Sequence, residues 1–324
     1  MQVWQQKRSW MAWLGLVLLS VSGCATTKPA TATPQAEVQG DEPRAFLWSV
    51  EHPDGDRPPL YLLGSVHMMR EDMALPASLE RAIADTRVLA VEVDTTQVDP
   101  RALQRFIELR GVRTGGAPSS EVMPPELRDR FREALQASGM PWEAAQALRP
   151  WVLSLVVSVH MLQQAGFVEQ HGVETQLLSR LRDSHRVVEL ESMEMQLDSL
   201  SSAPDEAHQY DLERSLSMAE EDWTAELNAM ARAWADGDTA AMESLVFRND
   251  EDPRATLLHE SLFHTRNRQM SERIVELWGE GEPMLVVIGA GHMVGETGLP
   301  QLLREKGMTV TQLPRGEVRA AAAP

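Results

Sequence analysis

Two segments near opposite ends of the chain share one design, an apolar run that ends in Gly-x-x-His. Leu60-Tyr61-Leu62-Leu63 runs into Gly64-Ser65-Val66-His67, and Met284-Leu285-Val286-Val287-Ile288 runs into Gly289-Ala290-Gly291-His292. The apolar runs read as buried strands, and glycine lets the backbone turn where each ends. In an open α/β sheet, ligands sit beyond the carboxyl ends of the strands. Two histidines delivered to that edge therefore point to one shared site. Carboxylates arrive there in the same way. Glu92 comes at the end of Val88–Val93, with Asp94 two residues on and on the same side of an extended chain. Glu191 closes Val187–Leu190, with Glu189 two before it. Two neutral imidazoles with one or two carboxylates form a donor set for a divalent metal; without a sulfur ligand, Mn, Co, Zn or Fe suit it. Water bound to such an ion becomes a nucleophile near neutral pH, with a carboxylate as base. The same acids could instead cap the loops that follow their strands.

Other motifs are weaker. Arg266 and Asn267 lie beside Met270, Ile274 and Leu277 on a helical pattern, which by itself reads as an ordinary solvated face. His259-Glu260 with His264 misses the zinc-protease helix motif, because its histidines are spaced i, i+5 where that motif needs i, i+4. Gly289-x-Gly291-x-x-x-Gly295 departs from the dinucleotide loop, and too little chain follows it for a nucleotide-binding half. There is no P-loop and no Gly-x-Ser-x-Gly elbow. His52, His160, His171, His185 and His208 are scattered and read as structural or exposed.

The elements that must position these groups follow from periodicity and breakers. Strands are predicted at Phe46–Val50, Leu60–Leu63, Val88–Val93, Val187–Leu190, Leu285–Ile288 and Thr309–Leu313, the first two joined by a turn at Pro53-Asp54-Gly55-Asp56. A helix from Pro76 leads into the third strand, and one over about 296–306 links the last two, a rhythm of crossover connections. Helices opened by Pro or closed by Gly fill 100–111, 125–138, 141–148, 150–166 and 172–183. Longer amphipathic patterns cover 205–236 and 254–279. Leu212, Leu216, Ala219, Trp223, Leu227, Met230 and Trp234 recur at helical steps and read as a buried face rather than a cofactor box. The expected fold is α/β, with a mixed, partly parallel central sheet built from both chain ends and a helical block inserted between them.

The termini carry targeting rather than fold. Lys7 and Arg8, the apolar run Trp10–Val21 and Val21-Ser22-Gly23-Cys24 read as a lipoprotein signal over residues 1–23, with Cys24 as lipidation site. The run is too short for a helix to span a bilayer core of roughly 30 Å. Residues 24–43 read as a flexible tether, 44–315 as the folded domain and 316–324 as a frayed tail. Ala25 after the cysteine resembles sorting to an outer membrane, facing the periplasm. Cys24 is the single cysteine, so no intrachain disulfide can form. The whole chain carries a net charge of −18; without Lys7 and Arg8 it is −20. Such a surface disfavours nucleic acid and anionic lipid, leaving the lipid as the expected membrane contact.

Phe46–Glu51, Tyr61–His67 and Val91–Asp94 resemble the N-terminal blocks of the TraB/GumN (Tiki-like) family. The likeness continues through Gly172–Leu177, Val188–Glu191 and Arg266-Asn267, and closes with Val287–Leu299. This resemblance implies a fold similar to the erythromycin-esterase and ChaN-like group. It also implies a metal-dependent hydrolase, with members that are proteases, and functional positions at His67, Glu92, Glu191, Arg266, Asn267 and His292. His67 and His292 would hold the ion with Glu191 or Glu92. The other carboxylate would be the base, and Arg266 would stabilise developing negative charge. Glu174 stands where relatives often have Asp; its longer reach argues against a ligand role. The substrate expected is a peptide or small molecule. The competing expectation is a protein that binds haem, a small ligand or a peptide signal without turnover.

Overall fold

The computed structural model describes residues 44–218, 220–248 and 251–316. The signal segment, Cys24, the tether and all but the first residue of the tail lie outside them. Six strands form one sheet in the order β4-β3-β5-β2-β1-β6: β1 Arg44–Glu51, β2 Leu60–Ser65, β3 Val88–Val91, β4 Arg186–Glu189, β5 Met284–Gly289 and β6 Thr309–Pro314. The neighbours from β4 to β2 pair in parallel, and β1 pairs antiparallel with both β2 and β6. The expected mixed sheet from both chain ends is therefore present.

β5 is the keystone. Met284 to Ile288 are at most 1% exposed, as a central parallel strand covered on both faces must be. It pairs Leu60↔Met284 through Ser65↔Gly289 on one side and Val88↔Met284 through Val91↔Val287 on the other. That register brings the ends of β2, β3 and β5 to one edge, and β4 follows through Val91↔Glu189. Residues just past those ends (His67, Glu92, Glu191, His292) converge by topology alone.

Helices fill 100–181 between β3 and β4, and 193–279 between β4 and β5. Phe131, Val152, Leu153 and Leu212 centre a second apolar core there, apart from the sheet core. A smaller cluster of Met68, Phe167, Met218, Trp223 and Leu227 sits between the two. Among the described residues, no helix is long and apolar enough to cross a membrane.

Three details depart from the pattern reading. β3 ends at Val91, not Val93, because Asp94 turns the chain by accepting the Thr96 amide at 3.1 Å and ion-pairing with Arg182 at 2.8 Å. The pattern over 205–236 is two helices, Asp205–Ser217 and Glu220–Asp236, with Met218 extended at ψ 143° between them. One stripe thus splits: Leu212 and Leu216 serve the helical core, Trp234 the sheet core, and Trp223 and Leu227 the cluster between. The pattern over 254–279 contains a π-helical turn at Glu260–His264, immediately before Arg266. Helices at Ser119–Val122, Met193–Ser202 and Thr239–Val246 add to those expected.

Candidate metal centre

Gly289 ends β5 in the middle of the site. Its N–H donates to Glu92 Oε1 at 2.6 Å. A Cβ there would lie 3.2 Å from His67 Nε2 and 3.3 Å from Glu92 Oε1, so a side chain would crowd both groups. Gly172 answers a similar need on the other side. A Cβ would meet the His67 carbonyl oxygen at 2.1 Å, and only glycine lets the next helix start against that backbone. The helix Val173–Leu181 then places Glu174 in its first turn, where the helix dipole favours a carboxylate. Trp234 Nε1 donates to the Gly64 carbonyl at 2.7 Å and fixes the end of β2 from behind.

Seven of the named residues form two groups. His67, Glu92 and Glu174 are one, with candidate ligand atoms all within 4.8 Å of one another. His67 Nδ1 lies 2.9 Å from Glu174 Oε1, but without the alignment of a hydrogen bond. The Ser65 hydroxyl also donates to Glu174 Oε1. Buried His67 Nδ1 and Glu174 Oε2 have no hydrogen-bond partner. Native folds seldom leave such atoms unsatisfied, and an ion is one of the things that satisfies them.

Arg266 organises the second group. Only 6% exposed, it gives Nε and Nη2 to Glu191 at 2.9–3.1 Å and Nη2 to Glu92 Oε2 at 2.6 Å. Its Nη1 donates to the Leu262 carbonyl at 3.0 Å and to His292 Nε2 at 3.2 Å. A guanidinium can only donate. His292 Nε2 is therefore the acceptor, and Nδ1 carries the proton that goes to Asn267 Oδ1. Asn267 is fully buried and passes its own N–H to the Thr297 carbonyl at 2.8 Å. Every atom of this group that could hold an ion already holds a neighbour.

The electrostatics follow that division. Burial opposes charge on Glu92, but His292, Arg266, His67 and the Gly289 amide outweigh it and hold the carboxyl at about 2. Burial pushes His292 down to about 3, with Arg266 adding to the effect, so the ring is neutral. Burial also works against a charged His67, yet Glu174 overrides it and raises the pKa above the usual value. Burial raises Glu191 against the pull of Arg266. Glu92 and Glu191 thus share one guanidinium while Glu174 faces His67, an excess of carboxylate that a divalent cation would offset.

The sequence expectation is His67 and His292 as ligands with Glu191 or Glu92. The structure brings all of them to one place but spends His292 and Glu191 on Asn267 and Arg266. Glu92, the alternative ligand, stands beside His67, and Glu174 joins them. Glu174 reaches because its helix starts on the His67 backbone, so the longer side chain suits the span. Arg266 and Asn267 are buried, not on a solvated face. Asp94 and Glu189 serve the loop after β3, where Glu189 accepts the Asp94 amide at 2.7 Å. The pattern reading passed over Ser65 and Gln196. Ser192, one residue past Glu191, caps a helix by accepting the Met195 amide, and that cap is the signal that would have placed Gln196 one turn into it.

A cavity of about 160 Å³ opens beside the site. Its lining includes the polar groups of His67, Glu92, Arg266 and His292 and the apolar side chains of Met68, Phe167, Trp223, Leu227 and Met230. His52, Asp54 and Asp56 form a second cluster of ligand types in the β1–β2 turn, but both aspartates are exposed.

The sequence profile of the TraB/PrgY/gumN family matches residues 46–312. The chain belongs to that family. It is 25% identical over 255 residues to the uncharacterized protein YbaP of Escherichia coli K12, covering 75% of this chain and 87% of that protein. It is 22% identical over 336 residues to Metalloprotease TIKI2 of Xenopus tropicalis, covering 86% of this chain and 62% of that protein. Likeness to Metalloprotease TIKI1 of Danio rerio is also 22%, over 91% of this chain and 66% of that one. No solved structure matches the chain.

Proposed function

We propose that the protein is a metal-dependent hydrolase of peptide bonds. The observation that carries this reading is the His67, Glu92 and Glu174 ligand cluster beside a cavity, in which buried Glu174 Oε2 has no partner and His67 Nδ1 has only its ion-pair contact with Glu174. The printed names of the distant TIKI relatives support it. His67, Glu92 and Glu174 would hold a divalent ion, Mn, Co or Zn among the candidates. Such an ion supplies a polarising charge for a carbonyl and a nucleophilic water at neutral pH.

The chain's own residues do the rest. Glu174 has one oxygen beside His67 and Ser65 and one uncommitted, so it can both ligate and take a proton. Glu92, held at about 2, is a poor base and a good anchor. Arg266 has its donors committed to Glu191, Glu92, His292 and Leu262. It positions Glu92 and sets the local potential, rather than donating to a developing oxyanion. The apolar side of the cavity excludes water around the reacting group.

In this reading the domain is tethered to the cell envelope through lipidated Cys24, on the periplasmic side of the outer membrane, with no nucleic-acid partner.

The test is cleavage of a mixed peptide library by the full chain, loaded with Mn, Co or Zn and then stripped by chelator. The reading expects metal-dependent cleavage in the wild type, reduced at least about 100-fold in Glu174→Gln by loss of its proton-accepting oxygen. Cleavage that survives both the chelator and Glu174→Gln would overturn it.

A further inference from the structure

Gln196 is 2% exposed, lines the cavity and belongs to neither group of the site. Its Nε2 donates to Glu92 Oε2 at 3.2 Å. A carboxylate held at about 2 can only accept, so the amide is fixed with Nε2 toward Glu92. Its other end, the acceptor Oε1, is buried and has no hydrogen-bond partner. A buried acceptor left unpaired costs about 1–3 kcal/mol. The cavity it borders is where a ligand could bring a donor.

We infer that Gln196 is a substrate-recognition residue whose Oε1 accepts an amide N–H next to the scissile carbonyl, so that the cavity selects amides over esters. This rests on the peptide-hydrolase reading and narrows it. A carbonyl acceptor pairs with an N–H and repels the ester oxygen that replaces it. The rest of the cavity fits the same substrate. Trp223, Leu227 and Met230 form an apolar wall, and a space of about 160 Å³ is of the size that takes one benzene-sized group. The matching ligand is a peptide with one large apolar side chain, of Leu, Met or Phe size, beside the bond to be cut. Gln196 holds Glu92 with one end and reads the substrate with the other, tying recognition to the ligand cluster.

The test uses a matched pair of inhibitors with a leucine side chain, one a phosphonamidate with P–N–H, the other a phosphonate with P–O in its place. Their dissociation constants are measured by calorimetry on the metal-loaded full chain. The wild type is expected to bind the N–H member about 10- to 100-fold more tightly. In Gln196→Met that preference should fall to near unity. Any disturbance of Glu92 by the substitution would weaken both inhibitors alike, so the ratio isolates the contact. The wild-type ratio is informative even if the variant fails to fold. Equal binding by the wild type overturns the role of Gln196 and leaves the hydrolase reading standing. Binding of neither by protein that carries metal overturns both.

Discussion

His67 and His292 occupy the same place in a repeated motif, yet their rings are in opposite states. His292 has both nitrogens satisfied, one by Arg266 and one by Asn267, and burial holds it neutral. His67 Nδ1 has only an unaligned ion-pair contact with Glu174 at 2.9 Å, and that carboxylate raises its pKa. The arms differ because the strands are out of step by one residue: Ser65, not Gly64, pairs with Gly289. The same Gly-x-x-His spacing thus delivers the rings to different neighbours. A satisfied ring stabilises a scaffold, while an unsatisfied one beside carboxylates awaits a partner from outside the fold. The two groups of the site should therefore respond differently when cut.

The largest effect should come from Arg266. Arg266→Met leaves Glu191 and Glu92 buried without their cation, and should lower stability by about 3–5 kcal/mol in urea unfolding. Arg266→Lys should recover little, because a point charge cannot replace the fork that grips Glu191. Glu174→Gln in metal-free protein removes one of three crowded carboxylates and should change stability by under about 1 kcal/mol. Equal losses in Arg266→Met and Glu174→Gln would erase the division between the groups.

His208 sharpens the contrast, for its buried Nε2 also lacks a partner but no ligand cluster among the described residues includes it. Burial takes its pKa from 6.5 down to about 4, against Asp211 and Asp205 and with Arg149 helping. Between those values the unfolded chain holds a proton that the folded chain does not. Stability should fall as pH drops from 6.5 to about 4, by about 3 kcal/mol from this group. His208→Gln should flatten that part of a denaturation-versus-pH profile; an unchanged slope would contradict it.

Asn267→Ala unpairs His292 Nδ1 inside the protein and should cost about 1–3 kcal/mol of stability while metal binding persists. Gly289→Ala is the mildest cut. Its Cβ would press on His67 and Glu92 at 3.2 and 3.3 Å but sit 3.6 Å from His292, an ordinary contact. Metal affinity should drop about 10-fold, as when groups supporting a ligand are disturbed, with melting temperature nearly unmoved. A large stability loss with intact metal binding would reverse the comparison.

The convergence of His67, Glu92, Glu191 and His292 was legible in the sequence because strand ends in a parallel sheet share an edge. Their division was not. It depends on where Arg266 points: the residue shares a helix face with Met270 and Ile274 at four-residue steps, and its charge, not its phase, makes the position look solvent-facing. Side-chain length argues against Glu174, but Gly172 brings its helix onto the His67 backbone and changes the span required. The split of the 205–236 stripe was hidden for a similar reason. Helical steps persist across Met218 while the backbone does not. Local periodicity identifies which residues face inward; it does not specify which of several interiors they enter.

The most direct measurement is metal content by inductively coupled plasma mass spectrometry, on full-length wild type, His67→Ala, Glu174→Gln and Asn267→Ala after incubation with Mn, Co or Zn. The account predicts near-stoichiometric metal in the wild type and in Asn267→Ala, and its loss in folded His67→Ala and Glu174→Gln. Metal retained by Glu174→Gln, or absent from the wild type with every ion, would contradict it.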